Sequence, residues 1–166
     1  MTKPDQDELI RDPISLRKLF GRYPTGVSIV TAFGSDGEPA GMVIGSLGSV
    51  SLDPPLVSFC PAKSSKTWPI MGASGRFCAN ILGADQADMC QRFFRGGDRF
   101  SGFSKYEGFS GPVAAGSLFA MDCSIDAVHE AGDHFIVVGR VETIADLKIG
   151  EPLIFCNSTF GFVGTL

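Results

Sequence analysis

Residues 118–128 read LFAMDCSIDAV, and this alternation constrains the fold more than any other stretch of the chain. Phe119, Met121, Cys123, Ile125 and Ala127 share one face, while Asp122, Ser124 and Asp126 share the other. That two-residue period belongs to a strand with one apolar face. Ala131-Gly132-Asp133 is a turn signal, and the β-branched run HFIVVGRVETI follows it. Two such runs across a short turn predict a long antiparallel hairpin.

The remaining segments extend the same theme. TGVSIVTAF from Thr25, AGMVIGSLGSVS from Ala40, LVSFC, RFCANIL and PLIFC each read as strands. Gly34-Ser35-Asp36-Gly37 and Asp53-Pro54-Pro55 punctuate them. Asp12-Pro13 starts a short helix over 13–22, with Leu16, Leu19 and Phe20 at helical spacing and Tyr23-Pro24 as its stop. One or two helical turns are expected within Ser64 to Ser74. Asp85 is expected to cap a helix carrying Met89, Phe93 and Phe94. Residues 95–117 read as a long ordered loop. The 21 glycines among 166 residues are nearly twice the usual share of roughly 7%. They fit many tight turns. Hairpin turns outnumber crossover helices, so the reading is a mainly β fold with short helices, an antiparallel barrel. Residues 1–12 read as a flexible N-terminal arm and 13–166 as one domain.

Several function classes are excluded. The net charge is −4, and the longest basic cluster, Arg92, Arg95 and Arg99, is interrupted by Asp98, so no nucleic acid is expected. The five cysteines form no C-x-x-C and are odd in number. They read as free thiols of a reducing cytosol, not as a metal site or a disulfide framework. No apolar run spans a membrane and no signal peptide is read, so the expected location is cytoplasmic. There is no G-x-G-x-x-G after a strand, no P-loop and no G-x-S-x-G elbow. His129-Glu130 and His134 are spaced one residue too far for the zincin motif.

Three polar stretches remain. Lys63-Ser64-Ser65-Lys66-Thr67 offers three hydroxyls and two cations before a helix start, which suits a phosphate group; the alternative is a solvated turn with a Ser or Thr cap. Ser46, Gly48 and Ser49 interrupt an apolar strand, as a bulge or a solvent-facing stretch would also do. Gly132-Asp133-His134 places a histidine at a hairpin turn, either for a ligand or merely exposed.

Five segments in order carry a resemblance. They are LRKLFGRYPTGVSIVTA, GMVIGSLGSVSLDPPLV, AKSSKTW, GRFCANIL and VHEAGDHFIVVGRV. The chain resembles, over roughly residues 14–160, the flavin reductase-like, FMN-binding split-barrel family. Its familiar members are the small reductase components of two-component flavin-dependent monooxygenases. The resemblance implies a split barrel, a homodimer, FMN or FAD as the flavin, and NADH or NADPH as the hydride donor. It also implies transient delivery of reduced flavin to an oxygenase component. By the same resemblance Met42, Val43, Ile44, Gly45, Ser46, Leu47 and Ser49 line the isoalloxazine, largely through backbone groups. Ser64, Ser65, Lys66 and Thr67 contact the ribityl and phosphate. Arg99 and Phe100 lie near the flavin, and His134 lies on the nicotinamide side. Pro24 and Thr25 form the bend that opens the first barrel strand. The chain departs from the pattern at Val43 and Gly45, where members carry hydroxyl residues, and at Leu47, where they carry phenylalanine. Two other classes stand against a reductase: a flavin-binding electron carrier without nicotinamide turnover, and a non-catalytic barrel module.

Overall fold

The computed structural model describes residues 12–164. The expected arm over 1–12 lies outside them, apart from Asp12. Asp12 Oδ1 accepts from the Ser15 amide at 2.9 Å and caps helix α1 (Pro13–Phe20). The helix stops two residues before the expected end, and none of its side chains is buried.

Ten strands and two helices follow before the C-terminal pair. They are β1 (Thr25–Gly26), β2 (Ser28–Phe33), β3 (Pro39–Ile44), β4 (Gly48–Leu52), β5 (Pro55–Phe59), α2 (Trp68–Ser74), β6 (Arg76–Ile81), α3 (Ala87–Arg95), β7 (Phe103–Ser104), β8 (Val113–Ala114), β9 (Phe119–Ala131) and β10 (His134–Asp146). The last two strands are β11 (Leu153–Cys156) and β12 (Thr159–Phe162). The main sheet has the order β3-β2-β6-β9-β10-β5-β4, with every pairing antiparallel. A second sheet, β1-β11-β12, and a small β7-β8 ladder complete the fold.

Chain length closes the barrel. A flat sheet of seven strands would hold its edges about 29 Å apart. The edges here are β3 and β4, and only Gly45, Ser46 and Leu47 separate them in the chain. Ile44 and Gly48 can therefore be no more than about 14 Å apart. The sheet must curl until its edges approach. They do not pair, which leaves the barrel split at this connector. The stretch expected as one strand from Ala40 is thus two strands on opposite edges.

Strands β2, β6 and β9 are covered on both faces, which is why TGVSIVTAF carries apolar residues on both faces. Val30, Ala32, Phe77, Ala79, Met121 and Cys123 fill the interior with Phe59, Trp68, Met71 and Val137. Ile29, from the opposite face of β2, packs with Leu82, Met89, Cys90 and Leu153. The expected hairpin pairs Ala131 with His134 and runs on to Phe119 against Asp146.

Four expectations are corrected. Asp85 does not cap a helix; it lies in a 3₁₀ turn and pairs with Lys148 at 2.7 Å. Asp122, placed on the polar face of its strand, is fully buried. The loop 95–117 contains the β7-β8 ladder. Thr159–Phe162, after the last expected strand, forms β12 because it folds back on β11. All five cysteines are free; burial pushes the thiols of Cys78, Cys90 and Cys123 up to about 12. Among the described residues, no helix is long and apolar enough to cross a membrane.

Candidate functional site

The connector at the split is where three distant segments meet. The Cys60 amide donates to Ser46 Oγ at 2.9 Å, tying the β3–β4 connector to the end of β5. Two residues later Ala62 bridges His134 in antiparallel fashion. The Phe135 amide donates to Pro61 O at 2.9 Å, and the Lys63 amide donates to Asp133 O at 2.8 Å. The β5–α2 segment is therefore laced to the tip of the β9-β10 hairpin. These bonds gather residues 44–49, 60–67 and 133–135 into one region.

At the connector, side chains and backbone divide their work. Ile44 is buried in the barrel interior and Met42 packs against the same cluster, while Val43 packs on the outer one. Ile44 is core, whereas Met42 and Val43 are half-buried. Ser28 Oγ donates to Ile44 O at 3.1 Å. The amides of Gly45, Ser46 and Leu47 donate to no protein acceptor among the described residues. They border a groove of about 500 Å³ whose other wall is Tyr23, Pro24, Thr25 and Gly26. A Cβ at Gly45 would meet Thr25 Oγ1 at 2.9 Å, so a side chain there would crowd the wall. At Gly48 a Cβ would meet nothing, and the strand face is open. The β4 ladder slips between Ser49 and Ser51, the bulge weighed for this stretch.

The hydroxyl cluster is only partly free. Ser65 Oγ accepts from the Thr67 amide at 3.2 Å and the Trp68 amide at 3.1 Å, so it caps the start of α2. The capping reading holds for Ser65, which keeps one hydroxyl proton to donate. Among the described residues, the Ser64 and Thr67 hydroxyls and the Lys66 ammonium engage no partner. Lys63 is committed instead. Its Nζ pairs with Glu130 at 2.7 Å and sits 5.5 Å over the Phe135 ring. That hydrogen bond holds the Glu130 carboxyl below its ordinary range. His134 is half-exposed; its Nδ1 lies 2.8 Å from Asp133 Oδ1 and lowers that carboxyl likewise.

Arg99 and Phe100 are not drawn into this region by any such bond. Phe100 packs with Phe93 and Phe103 at centroid distances of 5.6 and 5.4 Å, over Gly41 on the outside of β3. Arg99 is exposed on the loop after α3. The Ser46–Cys60 bond and the Lys63–Glu130 pair were missed in the sequence, since no local pattern links residues 14 and 67 apart.

Comparison with known proteins decides the family. The model for the flavin reductase like domain matches residues 20–164. The chain belongs to this family. It is 41% identical over 151 residues to the reductase subunit HsaB of a flavin-dependent monooxygenase from Rhodococcus jostii, covering 90% of this chain and 77% of that one. It is 42% identical over 148 residues to the NADH FMN reductase SmoA of Agrobacterium fabrum, covering 89% and 84%. The solved structure of the Streptomyces globisporus NADH:FAD oxidoreductase SgcE6, in complex with NAD and FAD fragments, superposes with TM-score 0.87 at 34% identity, covering 95% and 97%. The chain is accordingly a flavin reductase, an oxidoreductase acting on a flavin with a reduced nicotinamide as co-substrate, and its fold is the family's split barrel.

The residues present fit a flavin. Unpaired main-chain donors at Gly45–Leu47 suit a carbonyl-bearing ring edge. The Lys66 ammonium and the adjacent hydroxyls suit a phosphate.

Proposed function

We propose that residues 13–166 form a single-domain, cytoplasmic NAD(P)H:flavin reductase that takes FMN or FAD and passes the reduced flavin to a flavin-dependent oxygenase component. The observation that carries this reading is the pair of links Ser46–Cys60 and Ala62–His134. They bring residues 44–49, 60–67 and 133–135 side by side, which supports reading them as ring cradle, phosphate loop and nicotinamide contact. The partner oxygenase follows the relative named as a monooxygenase reductase subunit.

Bound flavin supplies the acceptor for the hydride of the reduced nicotinamide. The chain's own part is orientation and charge. Amides of Gly45, Ser46 and Leu47 stabilise negative charge on the ring edge that faces them. Ser64, Lys66, Thr67 and the Ser65 hydroxyl proton hold the phosphate. His134 orients the nicotinamide from the hairpin tip. Such a reaction needs no nucleophile.

We also propose a homodimer. Val50 and Leu52 on the β4 edge are 53% and 89% exposed, Ile144 is 59% exposed, and Leu52 and Ile144 line an apolar groove of about 410 Å³. A second copy over this face would cover the open edge strand.

The test is steady NADH and NADPH oxidation with FMN, FAD and riboflavin added in turn. Oxidation that requires added flavin supports the reading. A protein that binds flavin without oxidising either nicotinamide would be the electron carrier, and one that binds none the non-catalytic module. His134→Ala should then raise the nicotinamide KM roughly 5- to 100-fold and leave flavin affinity within about twofold. Unchanged nicotinamide kinetics in a folded variant removes that role.

A further inference from the structure

The β4-β5 ladder ends where the connector begins. Its register pairs Ser49 with Val57 and Gly48 with Ser58. Continued by two residues, it would set Ser46 opposite Cys60. The contact there is of another kind. The Cys60 amide is received by the Ser46 side chain, at 2.9 Å, and not by the main chain of the connector. A hydroxyl oxygen thus stands in for a ladder carbonyl. The backbone of the connector is held beside β5 without being used up in pairing.

The two ends of this bond differ in stiffness. Gly45 and Gly48 bracket Ser46 and Leu47, so the connector does little to fix its own conformation. Among the described residues, the Ser46 bond is the one hydrogen bond from a connector side chain to the rest of the chain. Cys60, by contrast, follows β5 directly, and Pro61 after it is fully buried. Pro61 O accepts from the Phe135 amide, and Ala62 bridges His134. The Ser65 amide donates to Ala62 O at 3.0 Å, and Ser65 Oγ caps α2. A short, bonded path therefore leads from the connector through Cys60 to the Ser64–Thr67 turn.

We propose that Ser46 is a positioning residue: by receiving the Cys60 amide, its hydroxyl sets the spacing between the connector amides and the Ser64–Thr67 turn, and so favours a flavin that reaches both. A ligand that spans two halves already held in place gains more than one that touches a single half, because the ordering precedes binding. The inference deepens the reading of the connector as ring cradle and of the turn as phosphate end, and it rests on that reading. It assigns the Ser46 side chain no contact with the ring.

The probes are FMN and lumiflavin, the methylated isoalloxazine without ribityl chain or phosphate. Both are titrated by fluorescence against the full-length wild type, Ser46→Ala and Ser46→Thr, with melting temperature as the folding control. The readout is the ratio of FMN affinity to lumiflavin affinity. Ser46→Ala removes the acceptor and should lower that ratio roughly 3- to 10-fold, the range that one neutral hydrogen bond supplies. Ser46→Thr keeps a hydroxyl and should hold the ratio within about twofold of the wild type. A ratio that Ser46→Ala does not move overturns the proposal, whether both ligands weaken together or neither does. The side chain would then serve the ring alone, or nothing at the site. A ratio lowered equally by alanine and threonine overturns it too, because the hydroxyl would not be the cause. FMN titration of the wild type comes first. Failure to bind FMN defeats the reading of the site, whereas FMN binding beside an unmoved ratio defeats this inference alone.

Discussion

The loop over residues 105–115 and the connector at Gly45–Leu47 both carry backbone outside any long ladder, yet the protein treats them oppositely. The loop is answered from within. Thr31 Oγ1 donates to Pro112 O at 2.8 Å, and Asn80 Nδ2 donates to the same oxygen at 3.3 Å. Asn80 Oδ1 accepts from the Ala114 amide at 2.8 Å. Asp122 Oδ1 accepts from the Ser110 amide at 2.6 Å, and its other oxygen pairs with Arg76. Thr31, Asn80 and Asp122 are fully buried, one on each of β2, β6 and β9. Gly111 approaches so closely that a Cβ would lie 2.5 Å from Thr31 O. At the connector only Ser46 Oγ is answered, and three amides stay open. Buried polar groups are normally satisfied, so the loop is finished by folding, while the exposed connector leaves its donors open to solvent or a ligand.

That contrast breaks most visibly at Asp122. Asp122→Ala leaves the Ser110 amide and the Arg76 guanidinium without their acceptor. The expected loss is about 3 kcal/mol, toward the low end for a broken buried pair because Arg76 is half-exposed. Urea denaturation measures it. Flavin affinity of the folded fraction should stay within about twofold. A loss under about 1 kcal/mol would mean that the loop does not depend on these anchors.

The connector gives the reciprocal case. Gly45→Ala sets a methyl group against Thr25 Oγ1 and narrows the groove wall. Flavin affinity should fall about tenfold, which is 1.4 kcal/mol, with little change in melting temperature. The double variant with Thr25→Ala removes the clashing oxygen and should recover most of the loss. Large destabilisation without loss of binding would make Gly45 a structural glycine and erase the distinction.

These two regions also mark what the sequence could tell. The strands, the long hairpin and α1 were legible because each rests on local period or capping chemistry. Asp122 was misread because alternation assigns a face but not what covers it, and its cover is the loop at Ser110, twelve residues earlier in the chain. β12 was overlooked because Asn157 and Ser158 form the turn at positive φ, 50° and 61°, where sequence gives a weak signal without glycine. At the site, three polar stretches stood out by residue type, but their roles came from the family resemblance, since open amides leave no trace in residue type. Which lysine is committed depended on a partner 67 residues away, as Lys63 and Glu130 show.

The lysines sharpen the comparison at a smaller scale. Lys66→Ala should weaken FMN several-fold to about tenfold while riboflavin, which has no phosphate, is unaffected. Lys63→Ala should do less to FMN, because that ammonium is already paired with Glu130. Fluorescence titration of both ligands against both variants decides it. Equal effects would show that the pair opens when phosphate arrives.

The smallest effect concerns the Lys63–Glu130 pair itself, a surface clamp between the segment 60–67 and the hairpin tip. Lys63 holds the Glu130 carboxyl below its ordinary value of 4.5. A carboxyl lowered on folding stabilises the protein above its unfolded pKa and loses that contribution as pH falls through the folded one. Glu130→Gln should therefore melt slightly below the wild type at neutral pH, within the range of an exposed ion pair. Asp133, lowered by His134, titrates in the same acid window, but both proteins keep it and its contribution cancels in the difference. The gap between the two melting curves should close as pH falls through the lowered folded pKa of Glu130. A gap that persists or widens in acid would mean that Glu130 acts by packing rather than charge. The clamp would then belong with the buried loop anchors, which hold whatever the solvent does.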